Sequence, residues 1–461
     1  MSVQLALLNM MNLTRSSPCV RPSIDDFPSD FMTQHQRQSQ GGVAFHFLMV
    51  IYMTIALSLV CNVYFVPSLQ KITNKLHMSS DVAGATLMSI GTSSPELFTA
   101  LIAVLITDGE IGPGAILGSL QFNVLFIVGI CGLFAGSVLP LRSWPLLRDS
   151  FAFLLSVMAL IVVIWDKKVY WYEALALVIM YLLYVLIIYF NSTFRRCFNE
   201  FTGSEEWVDT DIENGSDEKS LLLENDYVNS TQMANLSRSE KGEKEEEQVE
   251  ITDQFDDSPF SVPQGFFYKT LWLVSLPITC LLYVTIPDCR KERWENWYLF
   301  SFIMSVLWVA IFTYVLIWMV VIIGFTLEIP DVVMSFTLLA ATTSIPEAIS
   351  SLIVARQGEG DMAVSHVVGS NVFDILLCLG VPWLLKTTIV ANVDYVVLED
   401  VALIYTSFLL IGSALIVVVF LKVNGWHLNK CLGISFSVFY LGFTGVSITF
   451  AYLFGDNKPM C

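Results

Sequence analysis

Two glutamates, Glu96 and Glu347, lie inside long apolar stretches that contain no nearby Lys or Arg to pair with them. An ionised carboxylate in apolar surroundings is costly unless other groups compensate its lost hydration. Each glutamate directly follows a proline, and hydroxyl residues stand just before that proline. Proline removes a backbone donor and frees a carbonyl of the preceding turn. Carboxylates, hydroxyls and carbonyls together predict an all-oxygen cage, which suits hard cations such as Ca²⁺ and Na⁺.

The candidate ligands form two matching sets. The first set is Thr92, Ser93, Glu96, Ser119 and Asn123, and the second is Thr343, Ser344, Glu347, Ser370 and Asp374. Asp374 adds a third acid where its counterpart Asn123 is neutral, which predicts a ligand for an additional monovalent cation. A helix cap is the alternative role for Asp374. The alternative for each glutamate is a protonated side chain, or one that is bonded within its own helical bundle.

These residues belong to an internal repeat. Residues 91–134 match residues 342–385 without a gap, at a constant offset of 251 positions. Gly118 and Gly369 match within it, and both would allow helices to approach closely. Five predicted spans in each half is an odd number, so the second half is inverted relative to the first. Inverted repeats around a midplane site are typical of secondary transporters, and a channel or receptor does not require them.

The composition agrees with this architecture. Of 461 residues, 55% are hydrophobic and only 14% are charged. We therefore predict an all-α, polytopic membrane protein with two inverted-topology repeats of five transmembrane helices each, about 10–11 spans in total. The predicted spans are 43–66, 81–107, 112–136, 148–165, 169–190, 297–323, 331–355, 361–385, 398–421 and 430–454. The apolar run 266–287 contains Pro277, and is either an interfacial or re-entrant segment or an eleventh span.

Charge is concentrated in one segment. The chain carries a net charge of −18, and residues 199–257 hold 19 acids but only four basic residues. Lys and Arg after the first, third and fifth spans place this segment in the cytoplasm and the N-terminus outside. A cytoplasmic loop of this composition is expected to be largely disordered, with regulatory or sorting proteins as its possible partners. The acidic balance argues against nucleic acid as a partner, and the lipid bilayer is the expected surroundings.

The predicted organisation has six parts. They are an extracellular or lumenal polar segment 1–42, a first repeat 43–190 with ion-binding motif 81–136, an acidic disordered cytoplasmic loop 191–265, an interfacial or extra membrane segment 266–296, a second repeat 297–454 with ion-binding motif 331–385, and a tail 455–461.

At these motifs the chain resembles the potassium-dependent sodium/calcium exchanger family. PELFTALIAVLI, ILGSLQFNVLF, SIPEAISSLIVARQGEGDMAVS and VGSNVFDIL look like its two alpha repeats, and PSIDDFPSDF, YFVPSLQKI and IPDCRKERWENWYL look like other family segments. The resemblance implies exchange of inward Na⁺ for outward Ca²⁺ and K⁺. It places Ca²⁺ and Na⁺ ligands at Glu96 and Glu347, and potassium dependence at Asp374. It also implies a plasma membrane protein, with a Golgi-derived organelle as the alternative.

The sequence departs from the family pattern at a few positions. Aspartate is usual at Glu347, glycine at Thr342, a small and apolar pair at Leu120 and Gln121, and acidic residues at Asn62 and Val63. A divergent, transport-impaired paralogue acting as a membrane scaffold is therefore one alternative, and a cation/proton antiporter is another. None of these is an enzyme, and no resident cofactor is expected because Ca²⁺, Na⁺ and K⁺ are transported.

Overall fold

The computed structural model describes residues 23–75, 89–107, 111–190, 265–358, 360–390, 393–398 and 402–454. The predictions for residues 1–22, for the acidic loop up to residue 264 and for the tail 455–461 lie outside these ranges, as does the beginning of the predicted span 81–107. The chain divides into two compact units, residues 190–279 and the remainder. Within the smaller unit the described residues form most of one helix. All the candidate ligands belong to the larger unit.

The described residues of the first half are mostly helical. Its α-helices are α1 (Gln34–Ser39), α2 (Gly42–Leu59), α3 (Val66–Lys75), α4 (Ser89–Thr92), α5 (Ser94–Leu105), α6 (Ile111–Gln121), α7 (Val128–Phe134), α8 (Ser143–Ile164) and α9 (Trp171–Tyr189). Two π-helical segments, Val60–Phe65 and Phe122–Ile127, connect α2 to α3 and α6 to α7. A short 3₁₀ turn, Ser23–Asp26, precedes α1.

The described residues of the second half are also mostly helical. Its α-helices are α10 (Phe266–Thr285), α11 (Tyr298–Leu327), α12 (Asp331–Met334), α13 (Ala340–Thr343), α14 (Ile345–Arg356), α15 (Gly360–Phe373), α16 (Gly380–Ile389), α17 (Ala402–Val423) and α18 (Lys430–Phe454). The π-helical segments Ser335–Leu339 and Asp374–Leu379 join α12 to α13 and α15 to α16. A 3₁₀ segment, Glu292–Trp297, leads into α11.

Eight helices in the described part of the chain are long and apolar enough to cross a membrane, and a bent pair makes a ninth. The eight are Gly42–Thr73, Ile111–Phe134, Ser143–Ile164, Trp171–Tyr189, Arg293–Leu327, Met362–Ile389, Leu403–Val423 and Lys430–Tyr452. They coincide with eight of the ten predicted spans. The ninth is the helix pair over Asp331–Arg356, bent by 42°. The segment Lys269–Thr285 is apolar but shorter, so the alternatives for the run 266–287 stay open.

Two short strand pairs indicate that the halves are inverted. Strand β1 (Leu139–Pro140), just before α8, pairs antiparallel with β4 (His427–Leu428), just after α17. Strand β2 (Lys168–Tyr170), just after α8, pairs with β3 (Tyr395–Val397), which precedes α17. The start of α8 therefore lies beside the end of α17, and the end of α8 beside the start of α17. These equivalent helices run in opposite directions, as the repeat predicts.

The halves are also interlocked by their helices. The last helix of each half packs against the third span of the other half, α9 on α16 and α18 on α7. The first helices, α2 and α11, pack against one another. Trp383 in α16 is the largest of the fully buried side chains among the described residues. Such reciprocal packing surrounds the paired motifs with helices from both halves.

The two matching glycines have different surroundings. A Cβ atom on Gly118 would lie 2.3 Å from the Phe336 carbonyl oxygen and 2.7 Å from the Ala340 Cβ. A Cβ atom on Gly369 would have the Tyr184 hydroxyl as its nearest neighbour, at 3.6 Å. Close helix approach therefore requires glycine at position 118 only.

The N-terminal segment is held against the bundle by polar contacts. The Ser23 hydroxyl donates to Asp331 Oδ2 over 2.5 Å. Asp30 lies 2.8 Å from Arg37 Nη1 and 3.2 Å from His46 Nε2. Burial raises the pKa of Asp30, but the hydrogen bond from Arg37 and the proximity of His46 outweigh it, so the pKa lies below its usual value.

We predict that Gly118→Ala lowers the thermal stability of the detergent-solubilised protein, because the new methyl group would collide with backbone atoms. Overpacking of this kind costs about 1–3 kcal/mol. The matched control is Gly369→Ala, which should melt close to the wild-type temperature. Equal melting temperatures for the two variants would contradict the packing argument.

Candidate functional site

Both glutamates stand at the start of a helix that follows a break. Ser93 separates α4 from α5, and Ser344 separates α13 from α14. Proline occupies an early position in each following helix, where its missing N–H costs no helical hydrogen bond. Glu96 and Glu347 lie in the first turns of α5 and α14. A carboxylate is favoured at this end of a helix because the helix dipole is positive there.

Pro95 leaves one backbone carbonyl, that of Gly91, without its usual helical donor. The carbonyl of Gly91 would meet the N–H of residue 95 in an uninterrupted helix, but Pro95 has none. That oxygen accepts a hydrogen bond from the Ser94 hydroxyl at 3.1 Å instead. Thr342, the counterpart of Gly91, directs its hydroxyl to the carbonyls of Leu338 and Leu339, each at 2.9 Å. The side chain of Thr342 therefore bonds its own helix.

The two glutamates exchange hydrogen bonds with the opposite repeat. The Ser344 hydroxyl donates to Glu96 Oε1 over 3.1 Å. The Ser93 hydroxyl donates to Glu347 Oε1. Each break serine thus bonds the glutamate of the other half, and both carboxylates are almost completely buried. Both serine contacts therefore run between the repeats, and Glu347 has a further hydrogen bond with Ser370 of its own half.

Amide side chains join this cluster. Asn123 Nδ2 donates to Glu347 Oε2 over 2.6 Å and lies 3.1 Å from Asn371 Oδ1. Asn371 was not among the predicted ligands. Its repeat counterpart is Leu120, so a search for matching polar positions passes over it. Its position directly after Ser370, within an apolar helix, could have identified it. That inference would have to rest on the second repeat alone, because the first repeat has no polar residue at the matching position.

Asp374 is fully buried in the same region and begins a π-helical segment. Its Oδ1 atom lies 3.7 Å from the Cys378 thiol, which is a weak donor. Asn123, its counterpart, is the second residue of the π segment Phe122–Ile127. Single-turn π segments inside α-helices occur frequently at functional sites.

Acceptor atoms in the cluster are left without partners. Within the described ranges, Glu96 Oε2, Asn123 Oδ1 and Asp374 Oδ2 are buried and accept no hydrogen bond. None of the ion pairs formed by described residues includes Glu96, Glu347 or Asp374. A buried carboxylate oxygen with neither a donor nor a positive charge is unfavourable. A bound cation is one group that can compensate such oxygens.

The four remaining predicted hydroxyl ligands, Thr92, Ser119, Thr343 and Ser370, are buried and bond to backbone carbonyls. Ser119 donates to Ile116 O over 2.8 Å, and Ser370 to Val367 O over 3.0 Å. Thr92 Oγ1 also lies 3.3 Å from His366 Nε2. A hydroxyl that donates its hydrogen to a carbonyl keeps lone pairs for another partner. Their role as ligands stays a prediction.

The donor chemistry of the cluster is mixed. Among the residues that the structure describes, no three His, Cys, Asp or Glu side chains are close enough together to form a metal site by themselves. Any cation held here would be bound by carboxylate, amide and hydroxyl oxygens together. Oxygen donors of this kind suit Ca²⁺ and Na⁺ better than they suit transition metals.

The departures from the family pattern lie near the cluster. Leu120 is fully buried in the apolar core, and Gln121 is buried with no partner for its Nε2 atom in the described part of the chain. Asn62 accepts a hydrogen bond from Ser350 at 3.3 Å. Glu347 is well bonded in spite of its longer side chain. Leu120, Asn62 and Glu347 are accommodated, whereas Gln121 has a buried donor without a partner among the described residues.

Comparison with known proteins gives matches over most of the chain. The family described as "Sodium/calcium exchanger protein" matches residues 46–190 and 297–449. The human sodium/potassium/calcium exchanger 5 is 40% identical over 462 residues, which cover 96% of this chain and 90% of that protein. The human sodium/potassium/calcium exchanger 3 is 38% identical over 566 residues, with 97% and 87% covered.

Solved structures of the sodium-calcium exchanger NCX_Mj are also similar. The sodium-calcium exchanger NCX_Mj, soaked with 10 mM Na⁺ and zero Ca²⁺, aligns with a TM-score of 0.46 and 20% identity. The alignment covers 87% of this chain and 96% of that chain.

We predict that Ca²⁺ raises the melting temperature of the purified protein, because a ligand that binds only the folded state stabilises it. At 100 times its Kd, Ca²⁺ would add about 2.7 kcal/mol. Glu96→Gln and Glu347→Gln should each reduce the shift. Mg²⁺ is the control ion, since it dehydrates reluctantly and needs a tighter octahedral site. A Ca²⁺ shift of equal size in the wild type and both variants would place the binding elsewhere.

Proposed function

This chain belongs to the sodium/calcium exchanger family, in its potassium-dependent branch, and we propose that it exchanges Na⁺ for Ca²⁺ and K⁺ across a membrane. The observation that carries the proposal is the crossed pair of hydrogen bonds, Ser344 to Glu96 and Ser93 to Glu347. These bonds bring one carboxylate from each inverted repeat into a shared buried cluster. Oxygens without partners remain on that cluster. This is an arrangement that a cation completes.

Charge and donor type support Ca²⁺ and Na⁺ as competing occupants. Glu96 and Glu347 together balance one divalent charge, and hydroxyl and amide oxygens supply the further ligands that a hard cation needs. The same oxygens can coordinate Na⁺ at similar distances. Because the two ions would compete for one set of donors, entry of Na⁺ down its gradient would displace Ca²⁺. Exchange follows from competition at this one site.

Asp374 is our candidate ligand for K⁺. Its carboxylate is buried, and its Oδ2 atom has no partner among the described residues. The counterpart in the first repeat, Asn123, donates to Glu347 and is neutral. The third negative charge therefore has no equivalent in the other half. An additional monovalent cation would compensate this charge. For this reason we propose that Asp374 makes transport dependent on K⁺.

Alternating access supplies the mechanism. The repeat cores, α4 to α7 and α12 to α16 with their π segments, would hold the cations between them. The peripheral helices α2 and α11 pack against each other and also contact core helices. We propose that this peripheral pair slides along the core and opens the site to one side of the membrane at a time. Inverted repeats make the two openings nearly equivalent.

We assign the N-terminus to the outside and the acidic segment to the cytoplasm. The charge distribution supports this orientation, because Lys71, Lys75 and Arg356 then lie on the inner side. The multi-pass chain resides in a membrane, and the plasma membrane is the location that we propose. Regulatory or sorting proteins would bind the acidic cytoplasmic loop.

The decisive experiment is Ca²⁺ uptake driven by a Na⁺ gradient in proteoliposomes. We expect ⁴⁵Ca²⁺ uptake by the wild-type protein and loss of uptake in Glu96→Gln, because the cage would lose one of its two balancing charges. A proton gradient without Na⁺ is the control, since a cation/proton antiporter would respond to it. Absence of Na⁺-driven uptake by well-folded protein would refute the exchange proposal.

Potassium dependence has a separate test. Uptake by the wild-type protein should require K⁺, and Asp374→Asn should make the remaining uptake insensitive to K⁺, because the third charge is removed. The measurement is the same ⁴⁵Ca²⁺ assay over a series of K⁺ concentrations. If wild-type uptake ignores K⁺ and Asp374→Asn changes nothing, the potassium part of the proposal is wrong while Na⁺/Ca²⁺ exchange stands.

A further inference from the structure

A polar contact joins the peripheral helix to the core one turn from the cation cluster. The Ser350 hydroxyl, on α14, lies 3.3 Å from Asn62 Oδ1 in the π segment that follows α2. Ser350 stands three residues after Glu347, and so on about the same face of α14. In the proposed orientation this contact lies on the cytoplasmic side of Glu347. We refer to Asn62 and Ser350 as the inner pair.

The hydrogen bond of the inner pair can form and break without leaving either residue unbonded. Ser350 has one hydroxyl hydrogen, which it shares between Asn62 Oδ1 and the Pro346 carbonyl at 2.8 Å. Releasing Asn62 therefore leaves Ser350 satisfied within its own helix. Asn62 Nδ2 donates to the Ser58 carbonyl over 3.0 Å, which fixes the amide on its own helix. Each partner keeps a local bond when the contact between them separates.

The repeat supplies a counterpart at the opposite interface. The offset of 251 equates Asn62 with Thr313 on α11, and Ser350 with Thr99 on α5. In the peripheral helices the same offset equates Thr54 with Ser305, and each hydroxyl donates to the carbonyl four residues earlier, at 2.8 and 2.7 Å. We refer to Thr99 and Thr313 as the outer pair.

The outer pair differs from the inner pair in its bonding. Both threonines are almost completely buried, and the helices that carry them pack against each other. Neither hydroxyl has a hydrogen-bond partner among the residues that the structure describes. A buried hydroxyl without a partner is unfavourable, and a few others in the described part of the chain share this state. The interface at the inner pair therefore contains a hydrogen bond, whereas the equivalent interface at the outer pair contains two hydroxyls without partners.

We propose that the inner and outer pairs are alternating contacts that hold the peripheral helices on one side of the core or the other. This inference rests on the proposed exchange by alternating access. The inner pair closes the cytoplasmic side, and it separates when α2 and α11 slide. The outer pair then gains a hydrogen bond and closes the external side. Asn62, Ser350, Thr99 and Thr313 are positioning residues that set the balance between the two states without touching the cation.

The test uses linkage between the two sides of the membrane. Ser350→Ala removes the inner contact and should favour the cytoplasm-open state. The apparent affinity for cytoplasmic Ca²⁺ should rise and that for extracellular Ca²⁺ should fall, each by about fivefold for one net hydrogen bond. Thr99→Val and Thr313→Val should shift both affinities in the opposite directions. Ca²⁺-dependent currents in inside-out and outside-out patches report the two affinities.

A second measurement works without transport. Cys61 precedes Asn62 and is fully buried, 3.8 Å from the Ser94 hydroxyl. N-ethylmaleimide labelling of Cys61, read by peptide mass spectrometry, should be faster in Ser350→Ala and slower in Thr99→Val than in wild type. The matched control is Ser305→Ala, a buried α11 residue whose hydroxyl bonds the Ser301 carbonyl. It should change neither the affinities nor the labelling.

The outcomes separate this inference from the exchange proposal. If the wild-type protein carries no Na⁺-driven Ca²⁺ flux but the labelling rates shift as expected, the exchange function fails and the alternating contacts stand. If flux is normal but Ser350→Ala and Thr99→Val shift the affinities in the same direction, or leave the Cys61 labelling rate unchanged, the alternating contacts are refuted. A change of the same size in Ser305→Ala would also refute them.

Discussion

Burial of carboxylates without basic partners is the constraint on which this fold depends. Glu96, Glu347 and Asp374 are withdrawn from water and take part in no ion pair formed by described residues. Such groups persist only if the surrounding protein supplies donors and favourable dipoles. Here the glutamates stand at helix starts and receive serine hydroxyls from the opposite repeat. The helix breaks, their prolines and the inverted duplication all serve to place these few donors.

The inverted arrangement solves a geometric problem at the midplane of a bundle. A continuous helix directs its peptide groups along its axis and offers little to a charge beside its middle. A helix that is interrupted there presents a new N-terminus, and two interrupted helices of opposite direction present their N-termini to the same point. The π segments that begin near Asn123 and Asp374 then add polar side chains on the neighbouring helices. The chain thereby collects polar groups at one depth without exposing backbone to lipid.

Much of this architecture could be predicted from the sequence. The self-match at an offset of 251 located both breaks and both glutamates, and apolar length placed eight spans that coincide with long apolar helices in the structure. The crossed bonding could not be predicted, because Ser93 and Glu96 are close in sequence and local spacing favours pairing within one helix. Asn371 was missed because its counterpart is Leu120. The strand pairs were missed because two- and three-residue segments carry no periodic pattern.

The contact between Asn62 and Ser350 could not be predicted from the sequence either. Asn62 was noted only as a departure from an acidic pattern, and nothing in its neighbourhood indicated a partner almost three hundred positions away. Likewise, the identical glycines at 118 and 369 gave no sign that one is enclosed by backbone and the other is nearly free. Repetition in a sequence identifies equivalent positions, whereas the packing around them depends on neighbours that have since diverged.

The reciprocal packing of α9 on α16 and α18 on α7 bears on how the protein is made. The last helix of the first half has much of its packing surface on a helix that is synthesised much later, and the strands β1 and β2 pair with strands of the second half. The first five spans must therefore remain in the membrane with unfilled contacts until translation is almost complete. Biogenesis thus requires that the early spans be protected from degradation and from wrong partners, and assembly is a late event of the whole chain.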